Sequence, residues 1–230
     1  MKLIYQGKTK DIYKADDLLC LSFKDDVTGV DGQFDPGANQ VGLSIAGMGK
    51  LNLEMTTYFL ELLSSEGLAT HFVSADLEAN KMFVKALEVF GQGLEVITRY
   101  RATGSFIRRY GAYVEEGQVL DAYVELTLKD DLREDPLVTA EGVVALGILT
   151  KAQLESLLAL NLKAAELIKT DLSLKGLELY DLKLEFGYQA AYPDDIVLMD
   201  EISGGNMRVY QGEHLLTPSE LAAFYIKQKD

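Results

Sequence analysis

The sequence predicts an α+β fold organised as two lobes. The chain opens with short strand-like runs around a glycine-containing turn, which is typical of antiparallel sheet. Each half also contains a stretch with the apolar spacing of a helix. A length of 230 residues permits either one large domain or two small lobes, and a short GQG segment at 91–93 separates two strand-like runs. We therefore expect lobes at residues 1–90 and 91–230.

The first half alternates strand-like runs with one helix. From Lys2 to Phe23 the pattern indicates strand, turn at Gly7, and strand again. A glycine-rich polar stretch at 28–49 predicts a long loop, which in compact domains is usually functional or mobile. Apolar residues at helical spacing predict a helix over 50–66, ending before Gly67. Three further strand-like runs are 69–75, 81–89 and 94–102.

The second half contains the strongest helix signal in the chain. Thr150 and Gln153 form a capping box ahead of a long amphipathic run. Strand-like runs follow at 177–186 and 195–202. Thr217, Pro218 and Glu220 predict the start of a last helix, which is expected to run close to the C-terminus.

Composition excludes several classes of function. A net charge of −14 repels nucleic acid, and no run approaches the about 20 apolar residues of a membrane helix. The start of the chain lacks the apolar run of a signal peptide, so a cytoplasmic location follows by default. With one cysteine, Cys20, and two histidines, His71 and His214, a disulfide or a zinc centre is not expected. Magnesium, which prefers oxygen ligands, is the metal this composition suits.

The run 177–186 carries the clearest chemical pattern. Asp181, Lys183 and Glu185 alternate with apolar residues, so one face of the predicted strand is charged and the other is core. A half-exposed strand with solvated charges gives the same alternation. The next apolar run ends in Asp200, at a strand end where a cleft would open. Asp200 and Glu185 are therefore predicted to share a magnesium ion on nucleotide phosphates, with Lys183 neutralising developing charge.

The turn Gly7–Lys8–Thr9–Lys10 is a second candidate. It is not a Walker A loop, which needs longer glycine spacing and a following helix. Taken alone, it is more typical of a solvated hairpin turn. Where a sheet lobe covers a nucleotide, the same turn places backbone N–H groups and lysines on the phosphates.

Four arginines between residues 99 and 109 stand out in an acidic chain. Thr103, Gly104 and Ser105 interrupt them at a predicted strand-to-helix turn. Arginine with a hydroxyl and backbone amides at a helix start favours a phosphomonoester or carboxylate. A charged surface helix paired with nearby glutamates is the alternative.

A fourth segment, LTLKDDLREDPLV, places Lys129, Asp130, Asp131 and Asp135 between a strand and Pro136. Acidic residues before a proline are typical of an ordinary turn, and this is the interpretation that the residues favour when taken singly.

Together and in this order, these segments resemble the phosphoribosylaminoimidazole-succinocarboxamide synthase family, also called SAICAR synthetase. The motifs that carry the resemblance are GKTKDIY, FKDDVTGVDG, RYRATGS, LKDD with DPL, LYDLKLEFG, and MDEIS followed by Arg208. The resemblance implies a two-lobed α+β fold, with an antiparallel sheet and flanking helices in each lobe and an ATP cleft between the lobes.

The resemblance also implies a reaction. ATP would phosphorylate the carboxylate of carboxyaminoimidazole ribotide, and the amine of aspartate would attack the acyl phosphate to give the succinocarboxamide, ADP and phosphate. Such chemistry needs magnesium and basic groups around the transferred phosphoryl group, and the exclusion of water. The implied partners are these small molecules, with no nucleic acid or membrane, and a homodimer is left open.

Residue roles follow from the matching motifs. For ATP and magnesium they are Lys8 and Lys10 on the phosphates, backbone near Leu87 and Val89 on adenine, Glu185 and Asp200 on the metal, and Asp135 on a second ion. For the substrates they are Arg99, Ser105 and Arg208 on the ribotide phosphate, Lys183 and Asp181 as catalytic residues, and Asp31 on the imidazole or the amino acid.

The chain departs from the family pattern at three places. Tyr100 stands where most members have asparagine, and Gly204–Gly205 stands where they have Pro-Asp. The segment before the first long helix also differs, because Met48–Gly49 and a single Asn52 stand where most members have Lys-Gly and paired asparagines. These departures fall in substrate-associated regions, so a paralogous ATP-dependent ligase with another amino acid or heterocycle is an alternative. A catalytically inactive nucleotide-binding regulator and a small-molecule kinase are two more.

Overall fold

The protein is described here by a computed structural model, which covers residues 1–30, 33–34 and 40–226. The helices are α1 (Met48–Ser65), α2 (Ser105–Tyr110), α3 (Ala140–Ala145), α4 (Lys151–Leu174) and α5 (Pro218–Ala222). The strands are β1 (Lys2–Gln6), β2 (Lys10–Ala15), β3 (Leu18–Phe23), β4 (Asp26–Val30), β5 (Gln33–Phe34), β6 (Val41–Ser44), β7 (Phe72–Asp76), β8 (Lys81–Lys85), β9 (Glu88–Val89), β10 (Leu94–Arg101), β11 (Val119–Leu128), β12 (Leu137–Val138), β13 (Glu178–Gln189), β14 (Tyr192–Met199), β15 (Met207–Gln211) and β16 (His214–Leu215).

The chain divides into two compact units. The described residues of 1–87, 201–206 and 216–226 form the first, and residues 88–200 and 207–215 form the second. The predicted boundary after residue 90 lies three residues from the break after Leu87. The predicted second lobe also differs from the second unit, because the segments 201–206 and 216–226 belong to the first unit.

The first unit is built on an antiparallel sheet with strand order β1-β2-β3-β8-β7. Helix α1 packs against β3 and β7 and contacts α5. Its inner face buries Leu53, Phe59 and Leu60 fully, which is the amphipathic pattern predicted for 50–66. The helix extends two residues further towards the N-terminus than predicted, starting at Met48.

The prediction of a long loop at 28–49 is wrong. The described residues of this range include the end of β4 and all of β5 and β6, which pair antiparallel in the order β5-β4-β6. Gly42 lies directly against Gly29, since a Cβ on Gly42 would be 2.5 Å from the Gly29 Cα. Glycines that signalled a loop in the sequence therefore allow close approach of two strands.

The second unit is built on a larger antiparallel sheet. Its main strand order is β12-β11-β10-β13-β15-β16, and β9 and β14 also pair with β13. Helix α4 packs against β10, β13 and β14. The interface between helix and sheet buries Leu157, Ile168 and Leu182. The long strand β13 is consequently covered on one face by apolar packing.

The predicted helix caps are confirmed. Thr150 and Gln153 form a reciprocal capping box at the start of α4, and Thr217 and Glu220 do the same at α5. Helix α5 ends at Ala222 and is shorter than predicted. Within the described residues, no helix is long and apolar enough to cross a membrane.

Candidate active site

Strand β13 carries three charged side chains on the face opposite its apolar core. Asp181, Lys183 and Glu185 alternate with Leu182 and Leu184, which are almost fully buried. Asp181 is only 4% exposed, so its charge does not face bulk water as the solvated-strand alternative required. The strand lies inside the sheet, where neighbouring strands supply partners for each of the three charges.

One group of partners surrounds Lys183 and Glu185. The Lys183 Nζ donates to Glu95 Oε1 at 2.7 Å, and the Thr127 hydroxyl donates to Glu95 Oε2 at 2.9 Å. Lys129 Nζ donates to both oxygens of Glu185, at 2.9 and 3.0 Å. This arrangement follows from strand register, because Glu95 on β10 is the direct cross-strand partner of Glu185.

Asp200 completes this group. Met199, the last residue of β14, pairs with Glu185, so Asp200 follows just beyond the strand end as the sequence predicted. Asp200 has a left-handed φ of 67°, and its charge acts on both Lys129 and Glu185. We call Glu95, Lys129, Lys183, Glu185 and Asp200 the carboxylate–lysine cluster.

Three carboxylates and two ammonium groups leave the carboxylate–lysine cluster with an excess of negative charge. Burial and the charge of Asp200 raise the pKa of Glu185, against the opposing effect of Lys129 and Lys183. Burial acts to lower the pKa of Lys129, but the charges of Glu185 and Asp200 outweigh it and hold that pKa well above its ordinary value. For Glu95, burial is outweighed by Lys183 and Thr127, so its pKa is lowered. The cluster therefore attracts cations.

A second group of partners surrounds Asp181. One oxygen of its carboxylate accepts from Arg99 Nη1 at 2.7 Å and from Arg208 Nη1 at 2.8 Å. Arg99, 1% exposed, also donates to Glu125 Oε2 and to the Ser105 hydroxyl. We call Arg99, Ser105, Glu125, Asp181 and Arg208 the arginine cluster.

Arg109 extends the arginine cluster at the surface side. Its Nη2 donates to Glu125 Oε2 at 2.6 Å from helix α2. Arg99, Arg109 and Arg208 thus share two carboxylates, those of Glu125 and Asp181. The positive excess and the Ser105 hydroxyl suit an anion site, and the binding of an anion by this segment stays a prediction.

Gly104 sets the position of Arg208. An added Cβ on this residue would lie 2.7 Å from both Cζ and Nη2 of Arg208, so the guanidinium rests directly on the glycine backbone. Gly104 also has φ 56° and ψ −126°, a conformation that is essentially restricted to glycine. The strand-to-helix turn therefore needs glycine for two reasons.

The turn at Lys8 and Lys10 lies in the first unit. Gly7 N–H donates to the Lys10 carbonyl, and a Cβ on Gly7 would be 2.5 Å from that oxygen. Lys10 Nζ donates to Glu201 Oε2 at 2.7 Å, in a largely buried ion pair. The other Glu201 oxygen accepts from the Ser203 hydroxyl. Lys10 is therefore held by a carboxylate from the MDEIS motif.

Comparison with known proteins decides the family. The sequence model of SAICAR synthetase matches residues 3–220. The chain belongs to the SAICAR synthetase family. A phosphoribosylaminoimidazole-succinocarboxamide synthase of Clostridium tetani is 50% identical over 228 residues, covering 99% of this chain and 100% of the relative.

Solved structures agree with this membership. A SAICAR synthetase in complex with ADP is 33% identical, with a TM-score of 0.80 over 94% of this chain and 88% of the other. The phosphoribosylaminoimidazole-succinocarboxamide synthase of Ehrlichia chaffeensis is 27% identical, with a TM-score of 0.82 over 92% of this chain and 86% of the other. The predicted α+β fold class is confirmed, while the ATP cleft stays a prediction.

The donor set of this SAICAR synthetase family member fits magnesium. Glu185 and Asp200 offer two carboxylates in a negatively charged environment. The part of the chain that the structure describes contains no group of three or more acidic, histidine or cysteine side chains arranged for a metal. Magnesium in nucleotide sites is commonly held by one or two carboxylates together with phosphate oxygens and water, so two carboxylates are sufficient.

Other predicted site residues lie outside these clusters. Leu87 is the last residue before the break between units, and Val89 pairs with Gly187 of β13. Asp135 accepts the Asp130 amide N–H at 2.7 Å and stabilises the turn after β11, and its role as ligand of a second ion stays a prediction. Asp31 lies outside the described residues.

Four charged partners of the site are absent from the residues that the sequence predicts to bind substrate, nucleotide or metal. Lys129 lies in the segment for which the sequence favours an ordinary turn, and the other three carry no predicted role. A usable signal existed for two of them, because Glu95 and Glu125 each stand inside apolar strand sequences, where an ionised group needs a partner. The four are Glu95, Glu125, Lys129 and Glu201.

The departure at Tyr100 lies away from the arginine cluster. Its hydroxyl donates to Glu166 of α4 at 3.3 Å, and Lys169 Nζ lies 4.6 Å from its ring centroid. Burial and then Glu166 raise the pKa of Tyr100. Arg99, its neighbour on β10, points instead to Asp181. Tyr100 therefore packs on the helix side of the sheet and does not alter the anion site directly.

The departure at Gly204–Gly205 lies beside Glu201. A Cβ on Gly204 would be 2.7 Å from the Pro218 Cα, and one on Gly205 would be 3.0 Å from Glu201 Oε1. The Gly205 N–H donates to the Ser203 hydroxyl. An aspartate at 205 would place a second carboxylate against Glu201, so this turn is built for glycine.

We predict that Gly104→Ala weakens ribotide binding. The new methyl group displaces the Arg208 guanidinium and strains the backbone, so we expect KM for the ribotide to rise at least about tenfold. Gly176→Ala is the matched control, since Gly176 also has positive φ but nothing within 4 Å of an added Cβ. Steady-state kinetics with varied ribotide measure the effect, and equal KM values in the two variants would contradict it.

Proposed function

We propose that this protein joins aspartate to the carboxylate of carboxyaminoimidazole ribotide at the expense of ATP. The products are the succinocarboxamide ribotide SAICAR, ADP and phosphate, and the reaction belongs to purine biosynthesis. One observation carries the proposal: the arginine cluster and the carboxylate–lysine cluster occupy the same face of β13. The proposed anion site and the proposed phosphoryl-transfer site therefore share one strand.

The spacing of these clusters suits an extended ribotide. Asp181 and Glu185 are four residues apart, which in a strand corresponds to about 13 Å. A ribotide carries its phosphate at one end and the reacting carboxylate at the other. Its phosphate at Arg208 would place the rest of the molecule along β13 towards Lys183.

The arginine cluster is proposed to bind the ribotide phosphate. Arg208 and Ser105 contact the phosphate, and the buried Arg99 adds positive charge next to them. Asp181, predicted as catalytic, holds Arg99 and Arg208 side by side through one oxygen and is proposed as a positioning residue. Paired guanidiniums recognise phosphate with defined geometry, so fixing them in advance lowers the cost of binding.

The carboxylate–lysine cluster is proposed to support phosphoryl transfer. Glu185 and Asp200 would hold magnesium, which when bound neutralises charge on the ATP phosphates. The Lys183 ammonium, kept in place by Glu95, stabilises the negative charge that develops on the transferred group. The ribotide carboxylate becomes an acyl phosphate, and the aspartate amine displaces phosphate from it to form the amide.

The remaining roles rest on the family motifs. Lys8 and Lys10 are proposed to contact ATP phosphates, and backbone near Leu87 and Val89 to contact adenine. Asp135 is proposed to ligate a second magnesium ion, and Asp31 to contact the imidazole or the amino acid. We further propose a cytoplasmic location, where ATP and the ribotide are made, and a homodimer, which light scattering of the purified protein tests.

A product assay tests the function. The protein is incubated with Mg-ATP and ribotide, and SAICAR and ADP are measured while the amino acid is varied. We expect both products to appear only with aspartate. Turnover with another amino acid supports the paralogous ligase, ADP release without any amine supports a kinase, and no ADP release supports an inactive regulator.

We predict that Arg208→Ala chiefly weakens ribotide binding. Loss of a charge-assisted contact to phosphate should raise KM for the ribotide by about 10- to 100-fold. KM for ATP should change little, because Arg208 lies in the arginine cluster. Arg101→Ala, which removes a more exposed arginine paired with Glu178, is the control. Unchanged ribotide kinetics in Arg208→Ala would contradict the placement of the phosphate.

A further inference from the structure

Lys129 is bonded to Glu185, the carboxylate that the proposed function assigns to magnesium. Its ammonium donates to both oxygens of Glu185 at 2.9 and 3.0 Å, which is a bidentate contact. Asp200 also acts on this ammonium through its charge. The lysine thus takes the place of a cation that Glu185 and Asp200 would otherwise share.

The path of the Lys129 side chain is defined by Gly93. A Cβ on Gly93 would lie 2.7 Å from Lys129 Cδ and 3.2 Å from its Cβ and Cγ. The backbone N–H of Lys129 donates to the Gly93 carbonyl at 3.1 Å, which fixes the base of the side chain. The stem therefore lies across the glycine backbone and directs the ammonium at Glu185.

Lys129 and Lys183 differ in how their carboxylate partners are anchored. The Lys129 side chain is 43% exposed and that of Lys183 is 32% exposed, so both ammonium groups lie near the surface. Lys183 is bonded to Glu95, which the Thr127 hydroxyl anchors from the other side. The Lys129 side chain is partly exposed and has a flexible stem, so a departure of its ammonium from Glu185 would require no rearrangement of the sheet.

We propose that Lys129 is an internal counter-ion that balances Glu185 and Asp200 before nucleotide binds and is displaced from Glu185 by a divalent cation. A dication on Glu185 would lie next to the ammonium, and like-charge repulsion drives the lysine outwards. The inference rests on the proposed function for the identity of the metal ligands. It explains how a half-buried pair of carboxylates is tolerated before nucleotide binds.

Binding of Mn²⁺ alone, without nucleotide, tests the proposal. Electron paramagnetic resonance measures the concentration of free Mn²⁺ in titrations of the wild type, Lys129→Gln and Lys129→Arg. Because the lysine competes with the cation, we expect Lys129→Gln to bind Mn²⁺ about tenfold more tightly than the wild type. Lys129→Arg keeps the charge and should stay close to the wild type. Lys50→Gln, which removes an exposed charge paired with Glu78, is the control and should change nothing.

A structure with Mn²⁺ bound supplies a second readout. We expect Lys129 Nζ to lie beyond hydrogen-bond distance of both Glu185 oxygens when the metal is present. Equal Mn²⁺ affinity in the wild type and Lys129→Gln would overturn the proposal, as would a bidentate Lys129–Glu185 contact beside the bound metal.

Failure of this inference is distinguishable from failure of the proposed function. The metal measurements need neither ribotide nor amino acid, whereas the product assay uses the wild-type protein alone. SAICAR formation with unchanged Mn²⁺ affinity in Lys129→Gln rejects the counter-ion and keeps the ligase. Tighter Mn²⁺ binding in a protein that makes no SAICAR does the reverse.

Discussion

Lys183→Ala is expected to lower kcat by about 10³-fold while the protein still folds. The ammonium lies on the polar face of β13, bonded to Glu95 and within the electrostatic reach of Glu185. It is positioned before the reaction begins, so its charge opposes the charge of the transferred phosphoryl group at no cost of reorganisation. Alanine removes that charge completely. SAICAR formation at saturating substrates measures the loss.

The fold should survive this substitution because Glu95 keeps its bond from Thr127. We expect a loss of about 1–3 kcal/mol in unfolding free energy, from the carboxylate left without its ammonium. Lys50→Ala, at an exposed ion pair, is the matched control and should leave kcat unchanged. A Lys183→Ala protein with normal turnover would remove Lys183 from the mechanism.

Asp181→Ala is expected to cost about 3–5 kcal/mol of unfolding free energy. Asp181 is the carboxylate that Arg99 and Arg208 share, and all three residues are buried. Without it, two guanidiniums lie side by side with Glu125 as the remaining acidic partner in the cluster. Urea unfolding followed by circular dichroism measures the change.

Glu155→Ala is the control for this stability prediction. Glu155 pairs with Lys151 at 3.8 Å on the exposed surface of α4, where an ion pair contributes little. We expect a change below about 0.5 kcal/mol. If Asp181→Ala were no more destabilised than Glu155→Ala, the arginine cluster would not depend on Asp181 for its balance of charge.

Local sequence signals predicted the elements of this protein well. The capping boxes at Thr150 and Thr217 are formed by residues three positions apart, so their geometry is set within one helical turn. The alternation around Lys183 specified which side chains of β13 share a face. Local patterns were insufficient at 28–49, where glycines indicated a loop although they allow strands to approach closely.

The sequence by itself determined the elements, the polar face of β13 and, through its motifs, the family. Tertiary structure alone decided which charges meet: Lys183 with Glu95, Arg99 with Glu125, and Lys10 with Glu201. It also returned residues 201–206 and 216–226 to the first unit. The physical reason is that these partners are 26 to 191 positions apart, so strand register and burial select them, and neither is encoded in a local pattern.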